Sequence, residues 1–347
     1  MGDLDSLTTN SQEKSFLELF ENKVVYEIPL FQRSYVWTIT KQIEGIKDDF
    51  DEIIDEKKNI HFFGAIIIQR LETDVGETNR YEVIDGQQRL TTIFLFIMAA
   101  IFHMRIHDPE YAAILFKRFL IDADNDIENS NLQPSAVDRG QFNWIFQNII
   151  SNSDFKNELK DKKAQFEEFA LGSNSKLDGR IRKNYTSFKS YLKIKIHDYP
   201  ETEKANELKK IITKILTSCK VVSLVVKNPQ YGPIIFDKLN SGQEEMNIGE
   251  LVKNFVFARI AKEKNNIDAV QQFHDTSWNS FIREFKDTKA AESYFFPVCL
   301  IHEPNTRKEN VYRNMTGLWN RKKLTAEEII ENLKEYQSAY NALSIGQ

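Results

Sequence analysis

The densest run of potential chemistry in this chain is Asp85, Gly86, Gln87, Gln88 and Arg89, within YEVIDGQQRLTT at Tyr81–Thr92. A β-prone run (Tyr81, Val83, Ile84) enters the segment, and an apolar helical pattern leaves it at Leu90. Gly86 permits a sharp turn and a close backbone approach to a ligand. The start of a helix presents unpaired N–H groups and a partial positive charge to phosphate. Arg89 adds a planar guanidinium that matches phosphate oxygens. The same residues also suit an ordinary surface turn that caps a helix. Neither G-x-x-x-x-G-K-[ST] nor G-x-G-x-x-G occurs.

Three further segments carry functional residue types. In IPLFQRSYVW (Ile28–Trp37), Gln32 and Arg33 lie among the rings of Phe31, Tyr35 and Trp37. Rings beside an arginine and a glutamine can stack a nucleobase and bond its edge; they can equally form an aromatic core corner with one arginine at the surface. In FDKLNSGQEEMNIGELVKN (Phe236–Asn254), Asn240-Ser241-Gly242 suits a left-handed helix stop, and Asn247 with Glu250 suits a capping box. RIRKNYTSFKSY (Arg180–Tyr191) is basic and aromatic, with Arg180, Arg182 and Lys183 at its start. It lies inside Lys176–Lys220, which holds 12 Lys/Arg against 5 Asp/Glu. That island is +7 in a chain of net charge −5, leaving −12 elsewhere. A basic island in an acidic protein reads as a nucleic-acid footprint or as lysine-rich solvated helix faces.

Other chemistries find no pattern. The six histidines form no H-E-x-x-H, zinc or HNH spacing. His103 and His107, one helical turn apart, suit a metal or, better, the negative pole of a helix end. Cys219 and Cys299 form neither a disulfide framework nor a metal motif, which fits a reducing, cytoplasmic setting. The M-G-x-x-x-S start matches the myristoylation pattern and is read as chance. The apolar run Ile93–Ile101 is short for a membrane span, and no membrane partner is expected.

Periodicity places these residues on elements. Ser15–Asn22 reads as a helix, Val24–Ile28 as a strand and Thr40–Lys57 as an amphipathic helix with a solvated acidic face. His61–Arg70 reads as a buried strand, paired as a hairpin with Tyr81–Ile84. Leu90–His107 is apolar nearly all round and is expected to be central. Helical runs follow at Tyr111–Phe119, Gln141–Ser151, Asp154–Phe169, Arg180–His197, Glu203–Thr217, Tyr231–Leu239 and Asn247–Lys264. Lys220–Val226 reads as a strand returning to the sheet. With 347 residues, two domains, or one domain with a large helical extension, are expected. The expected division is 1–107 as a small α/β core, 108–260 as a helical region with the returning strand, and 261–347 as a C-terminal helical segment.

IPLFQRSYVW, HFFGAIII, VIDGQQRLTT and FDKLNSGQEEMNIGELVKN, in this order, resemble the GmrSD N-terminal family, the DGQQR-motif domain of bacterial anti-phage restriction systems. RIRKNYTSFKSYL resembles a weaker segment of the family, and the resemblance spans Phe16 to Arg259. It implies an α+β fold: a small ParB/sulfiredoxin-like core with a large, mostly helical extension. It also implies NTP binding and hydrolysis (GTP, UTP or ATP, with Mg2+) and restriction of modified double-stranded DNA, such as glucosylated or phosphorothioated DNA.

Carried onto this sequence, Asp85, Gln87, Gln88 and Arg89 are the catalytic set. Asp85 holds Mg2+ or orients water, a glutamine positions that water, and Arg89 holds phosphate. Gln32, Arg33, Gly86, Thr91, Thr92, Asn240 and Gly242 are the nucleotide-binding set. Phe31, Tyr35, Arg180, Arg182 and Lys183 are the expected DNA contacts. The chain departs from many members in showing no C-terminal HNH pattern. The nuclease is therefore expected on a separate domain or partner chain, with a second copy of this chain as a further candidate partner. The alternative is a modified-DNA reader or regulatory module that does not hydrolyse its nucleotide.

Overall fold

Gly64 interrupts an apolar strand, and the sheet is irregular there. In the computed structural model β3 (His61–Arg70) runs parallel to β6 (Cys219–Val226). Phe62 pairs with Lys220 and Ala65 with Val222, so β3 carries one extra residue over this interval. Gly64 absorbs it in the left-handed region, at φ +89, as a glycine β-bulge does. The structure describes residues 8–20, 24–29, 32, 34–71, 73, 78–121, 130–135, 138–159, 179–226, 248–264, 269 and 272–345.

β4 (Asn79–Asp85) pairs antiparallel with β3, giving the expected hairpin. Its register slips where Ile67 faces Asp85 and Ile68 faces Val83, so Ile84 is the extra residue. Two bulges therefore flank the β4–Gly86 corner, and bulges re-aim side chains next to sites. β2 (Val24–Glu27) lies parallel to β4, and β5 (Leu132–Gln133) parallel to β2. β1 (Thr8–Ser15) pairs antiparallel with β6. The mixed sheet has the order β1-β6-β3-β4-β2-β5.

β6 is the expected returning strand. β1 and β5 were not expected as strands: TTNSQEKS has no apolar alternation, and β5 is two residues in a polar stretch. Their pairing comes from neighbours already in the sheet, and polar side chains are what an edge strand carries.

Helix α1 (Phe16–Leu19) is shorter than expected. It opens with a capping box, in which Ser15 Oγ accepts from Glu18 N while Glu18 Oε2 accepts from Ser15 N. A π turn at Ile39–Ile43 leads into α2 (Glu44–Ile54). α3 (Gln87–His107) is the central helix. Around it pack α4 (Pro109–Phe119), α5 (Arg139–Ile150), α7 (Arg180–Lys195) and α8 (Glu201–Ser218), while α6 (Ser153–Glu158) lies on α4 and α5. A helix apolar on all sides must be covered on all sides. Here Phe94, Phe96 and Ile101 are fully buried, each worth about 1.5–3 kcal/mol against exposure. α3 is long and apolar enough to cross a membrane, but most of it is buried inside the protein.

Contacts group Met1–Pro29 with Ser34–Leu239 in one unit, and Leu30–Arg33 with Asn240–Gln347 in a second. The boundaries thus differ from cuts after 107 and 260. The helices after α3 bury the same core as the sheet. In the second unit α9 (Ile248–Lys264) packs with α11 (Thr288–His302), α12 (Val311–Arg321) and α13 (Ala326–Lys334). α10 (Asn279–Arg283) and α14 (Gln337–Ile345) are further α-helices described there. That core centres on Val256, Phe281, Tyr294, Trp319 and Ile329. The fold is α+β, as expected.

Candidate functional site

Gly86 follows β4 and caps α3, at φ +90 and ψ 9. A Cβ there would lie 2.7 Å from Ile66 Cγ2 and 3.0 Å from Ile66 Cα on β3. Dihedral and contact both demand glycine. The turn lays the start of α3 directly against the sheet. Asp85 ends the strand, and Arg89 stands one helical turn beyond the corner. Arg89 Nη1 donates to the Ala65 carbonyl at 3.0 Å and lies 3.8 Å from Asp85 Oδ2. Its guanidinium crosses Gly64, where an added Cβ would sit 3.1 Å from Nε. The Gly64 bulge therefore makes the bed for Arg89.

The two glutamines have different surroundings. Gln87 is half-buried at the first position of α3. Gln88 is 6% exposed, and its amide holds the strap Ser34–Trp37. Val36 N donates to Gln88 Oε1 at 2.8 Å, and Gln88 Nε2 donates to the Ser34 carbonyl at 3.4 Å.

One turn further, a relay of donors fixes Tyr35. Asn184 Nδ2 donates to Tyr35 OH at 3.0 Å, and Thr92 Oγ1 donates to the Gln88 carbonyl at 2.8 Å. The 2.6 Å bond between Tyr35 OH and Thr92 Oγ1 then has Tyr35 as donor. Burial raises the Tyr35 phenol to about 12, so it keeps the proton it donates. Asn184 Nδ2 also reaches the Trp37 carbonyl at 3.0 Å, and Arg180 Nη1 the Val36 carbonyl at 2.8 Å. Tyr35 N donates to Asp138 Oδ2 at 2.9 Å, which also accepts from Ser135 Oγ at 3.0 Å. Burial raises the Asp138 carboxyl despite these two bonds.

The geometry gives the surroundings of several expected site residues. Tyr35, expected to stack on DNA, is 5% exposed with its hydroxyl engaged on both sides. Thr91 and Thr92, expected to bind nucleotide, are both buried, and the Thr92 hydroxyl is spent on Gln88 and Tyr35. Gln88, expected to position water, is committed to the strap. Buried polar groups that lose such bonds pay their full desolvation cost, so these contacts hold in the folded state.

Among the expected DNA contacts, Lys183 and Arg180 are exposed, and Arg182 is half-buried over the Trp144 ring at 3.8 Å. Gln32 is half-buried. Phe31, Arg33, Asn240 and Gly242 lie outside the described residues. Among those described, no group of three or more His, Cys, Asp or Glu is placed to hold a metal. Asp85, the expected Mg2+ ligand, is half-buried, with Oδ2 3.8 Å from Arg89 Nη1. His103 bonds the Lys189 carbonyl at 2.8 Å and is held down to about 4 by burial.

Gly64, Asp138 and Asn184 escaped the sequence reading. A glycine inside an apolar strand does signal a bulge or a close approach. The other two carry no local signal of their link to the strap, because Tyr35 lies far from both in the chain.

A mixed sheet whose hairpin runs through a left-handed glycine into a buried helix, with an aspartate and an arginine at the corner, defines an α+β domain with a polar strand–helix junction. Residues 16–257, more than half of the chain, match the GmrSD restriction endonuclease N-terminal domain, and the chain belongs to that family. An uncharacterized protein of Methanocaldococcus jannaschii is 28% identical over 138 residues, covering 34% of this chain and 22% of that protein. The match thus spans under a quarter of that relative's length.

Proposed function

We propose that the β4–α3 junction binds the phosphates of a nucleoside triphosphate, and that the domain is the nucleotide-responsive component of a restriction system acting on modified DNA. The observation that carries this reading is the position of Gly86. It places the start of a long helix against the sheet, with Asp85 before it and Arg89 one turn after it. Backbone N–H groups of Gly86–Gln88 face the phosphates, as helix starts do. Arg89 is oriented by the Ala65 carbonyl and offsets their charge.

Asp85 is the residue that would hold Mg2+, which supplies neutralisation of phosphate charge when bound. Of the two glutamines, Gln87 takes the water-orienting role, since Gln88 fixes the strap. DNA cleavage belongs to an HNH nuclease domain or partner chain.

Phosphate release with GTP, UTP, ATP and CTP tests the reading. Arg89→Ala should lower the rate with the preferred nucleotide by about 100-fold or more. Parent-like hydrolysis of all four by Arg89→Ala would remove Arg89 from the site. A reader that binds without hydrolysing is favoured by the single carboxylate at the corner. It gives saturable nucleotide binding, lost in Arg89→Ala, with no phosphate released.

A further inference from the structure

We propose that the junction of α3, α5 and α7 binds inorganic phosphate as its dianion, between the side chains of Arg105 and Lys189. Arg105, in the last turn of α3, is 7% exposed, and Lys189 on α7 is half-buried. Both stand over the ring of Phe102. The Arg105 guanidinium carbon is 4.3 Å from the ring centre, and Lys189 Nζ is 3.5 Å from it. The site lies at the opposite end of α3 from Gly86 and does not rest on the nucleotide reading.

No acid balances these two charges. Among the described residues no carboxylate pairs with Arg105 or Lys189. Burial lowers both groups, and the charge of Arg105 lowers Lys189 further. What compensates them is partial. Arg105 donates to the Ile149 carbonyl through Nη1 and to the Phe102 carbonyl through Nε at 3.3 Å, near the C-terminal ends of α5 and α3. A helix end offers about half a negative charge, and the ring offers only its quadrupole. Two full positive charges stand against these.

Donors also outnumber acceptors. Lys189 Nζ and Tyr185 OH both donate to Asn148 Oδ1, each at 3.3 Å. An ammonium has three N–H groups, and this one has a single long oxygen contact. Arg105 Nη1 reaches Ser151 Oγ at 3.3 Å, and that hydroxyl donates to the Asn148 carbonyl at 2.9 Å. Among the described residues the Arg105 Nη2 group makes no bond. Ser151 is exposed and Asn148 half-buried, so the cations are reached from solvent on that side. Oxyanions supply the short, charge-assisted bonds that arginine and lysine make best. The size of the uncompensated charge favours a dianion over a monoanion such as acetate.

Calorimetric titration of the full chain with inorganic phosphate, at constant ionic strength and without nucleotide, tests the proposal. Arg89→Ala serves as the background, because it removes the phosphate contact proposed at the β4–α3 corner. In that background phosphate should bind saturably, and more tightly than acetate. Lys189→Met keeps a carbon stem over Phe102. Lys189→Met and Lys189→Gln should each raise the dissociation constant by about tenfold or more, as loss of a hydrogen bond to a charged group does. Lys189→Arg should recover most of that loss, while Lys334→Gln in the second unit should match the background chain.

Absence of saturable phosphate binding in the Arg89→Ala chain would overturn the proposal. So would equal dissociation constants with and without Lys189→Met, or acetate binding as tightly as phosphate. A lysine that serves only to pack on Phe102 gives a different signature: its replacement shifts the free energy of urea unfolding and leaves phosphate binding unchanged. Lys189→Met alone should bind a nucleoside triphosphate like the parent. Failure at this junction is thereby separated from failure at the β4–α3 corner.

Discussion

Val36 donates its backbone N–H to the side-chain oxygen of Gln88 at 2.8 Å, across a separation of 52 residues. That bond joins two motifs which read as independent in the sequence. The strap Ser34–Trp37 is held by α3 through Gln88 and Thr92, and by α7 through Asn184 and Arg180. The strand–helix corner and the basic helix therefore share one hydrogen-bonded element. A ligand that moves the start of α3 would meet the strap before it met α7.

The two glutamines should separate cleanly. Gln88→Ala leaves the Val36 N–H and the Ser34 carbonyl without this partner and should cost about 1–3 kcal/mol of stability. Gln87→Ala, at a half-buried helix start, should stay within about 0.5 kcal/mol of the parent. Urea unfolding reads both. In phosphate-release assays the order should reverse, with Gln87→Ala losing rate while folded as well as the parent.

The glycines give a signed pair. Gly86→Ala meets both a left-handed backbone and Ile66 at 2.7 Å, so it should destabilise by about 1–3 kcal/mol from strain alone. Gly45, inside α2, has nothing within 4 Å of an added Cβ. Gly45→Ala should stabilise by about 0.5–1 kcal/mol. Thermal denaturation that ranked the two alike would contradict the described corner.

Tyr35→Phe keeps the buried ring and removes the hydroxyl between Asn184 and Thr92. It should cost about 1–2 kcal/mol. Combined with Thr92→Val, it should cost less than the sum of the singles, with a coupling of at least about 0.5 kcal/mol. Additive costs in urea unfolding would mean that the 2.6 Å bond does not form in solution.

Acid should weaken the first unit in a defined window. His103 is held neutral by burial, down to about 4 from an ordinary 6.5. Between those values the unfolded chain binds the proton and the folded chain does not, so stability falls as pH drops from 6.5 to about 4 and levels off below. Burial lowers His61 and His107 in the same direction. His103→Gln should therefore flatten, without abolishing, the fall in unfolding free energy across this window.

Much of the core was legible from local pattern. The β3–β4 hairpin, the returning strand β6 and the central helix follow from β-branched runs and all-round apolarity, which need no distant information. β1 was not legible, because its polar residues become a strand only against β6. The surroundings of Tyr35 were hidden for a related reason. A tyrosine between polar residues looks like a platform until Asn184 and Thr92, far away in sequence, close on its hydroxyl. Gly64 went unread, and its use is clear only from Arg89 lying across it.

A crystal structure of the chain with a slowly hydrolysed triphosphate and Mg2+ tests the phosphate site most directly. The expected result is density for the phosphates against the N–H groups of Gly86–Gln88, with the Arg89 guanidinium in contact. Nucleotide bound elsewhere, with the Asp85–Arg89 corner bare and unchanged, would contradict it.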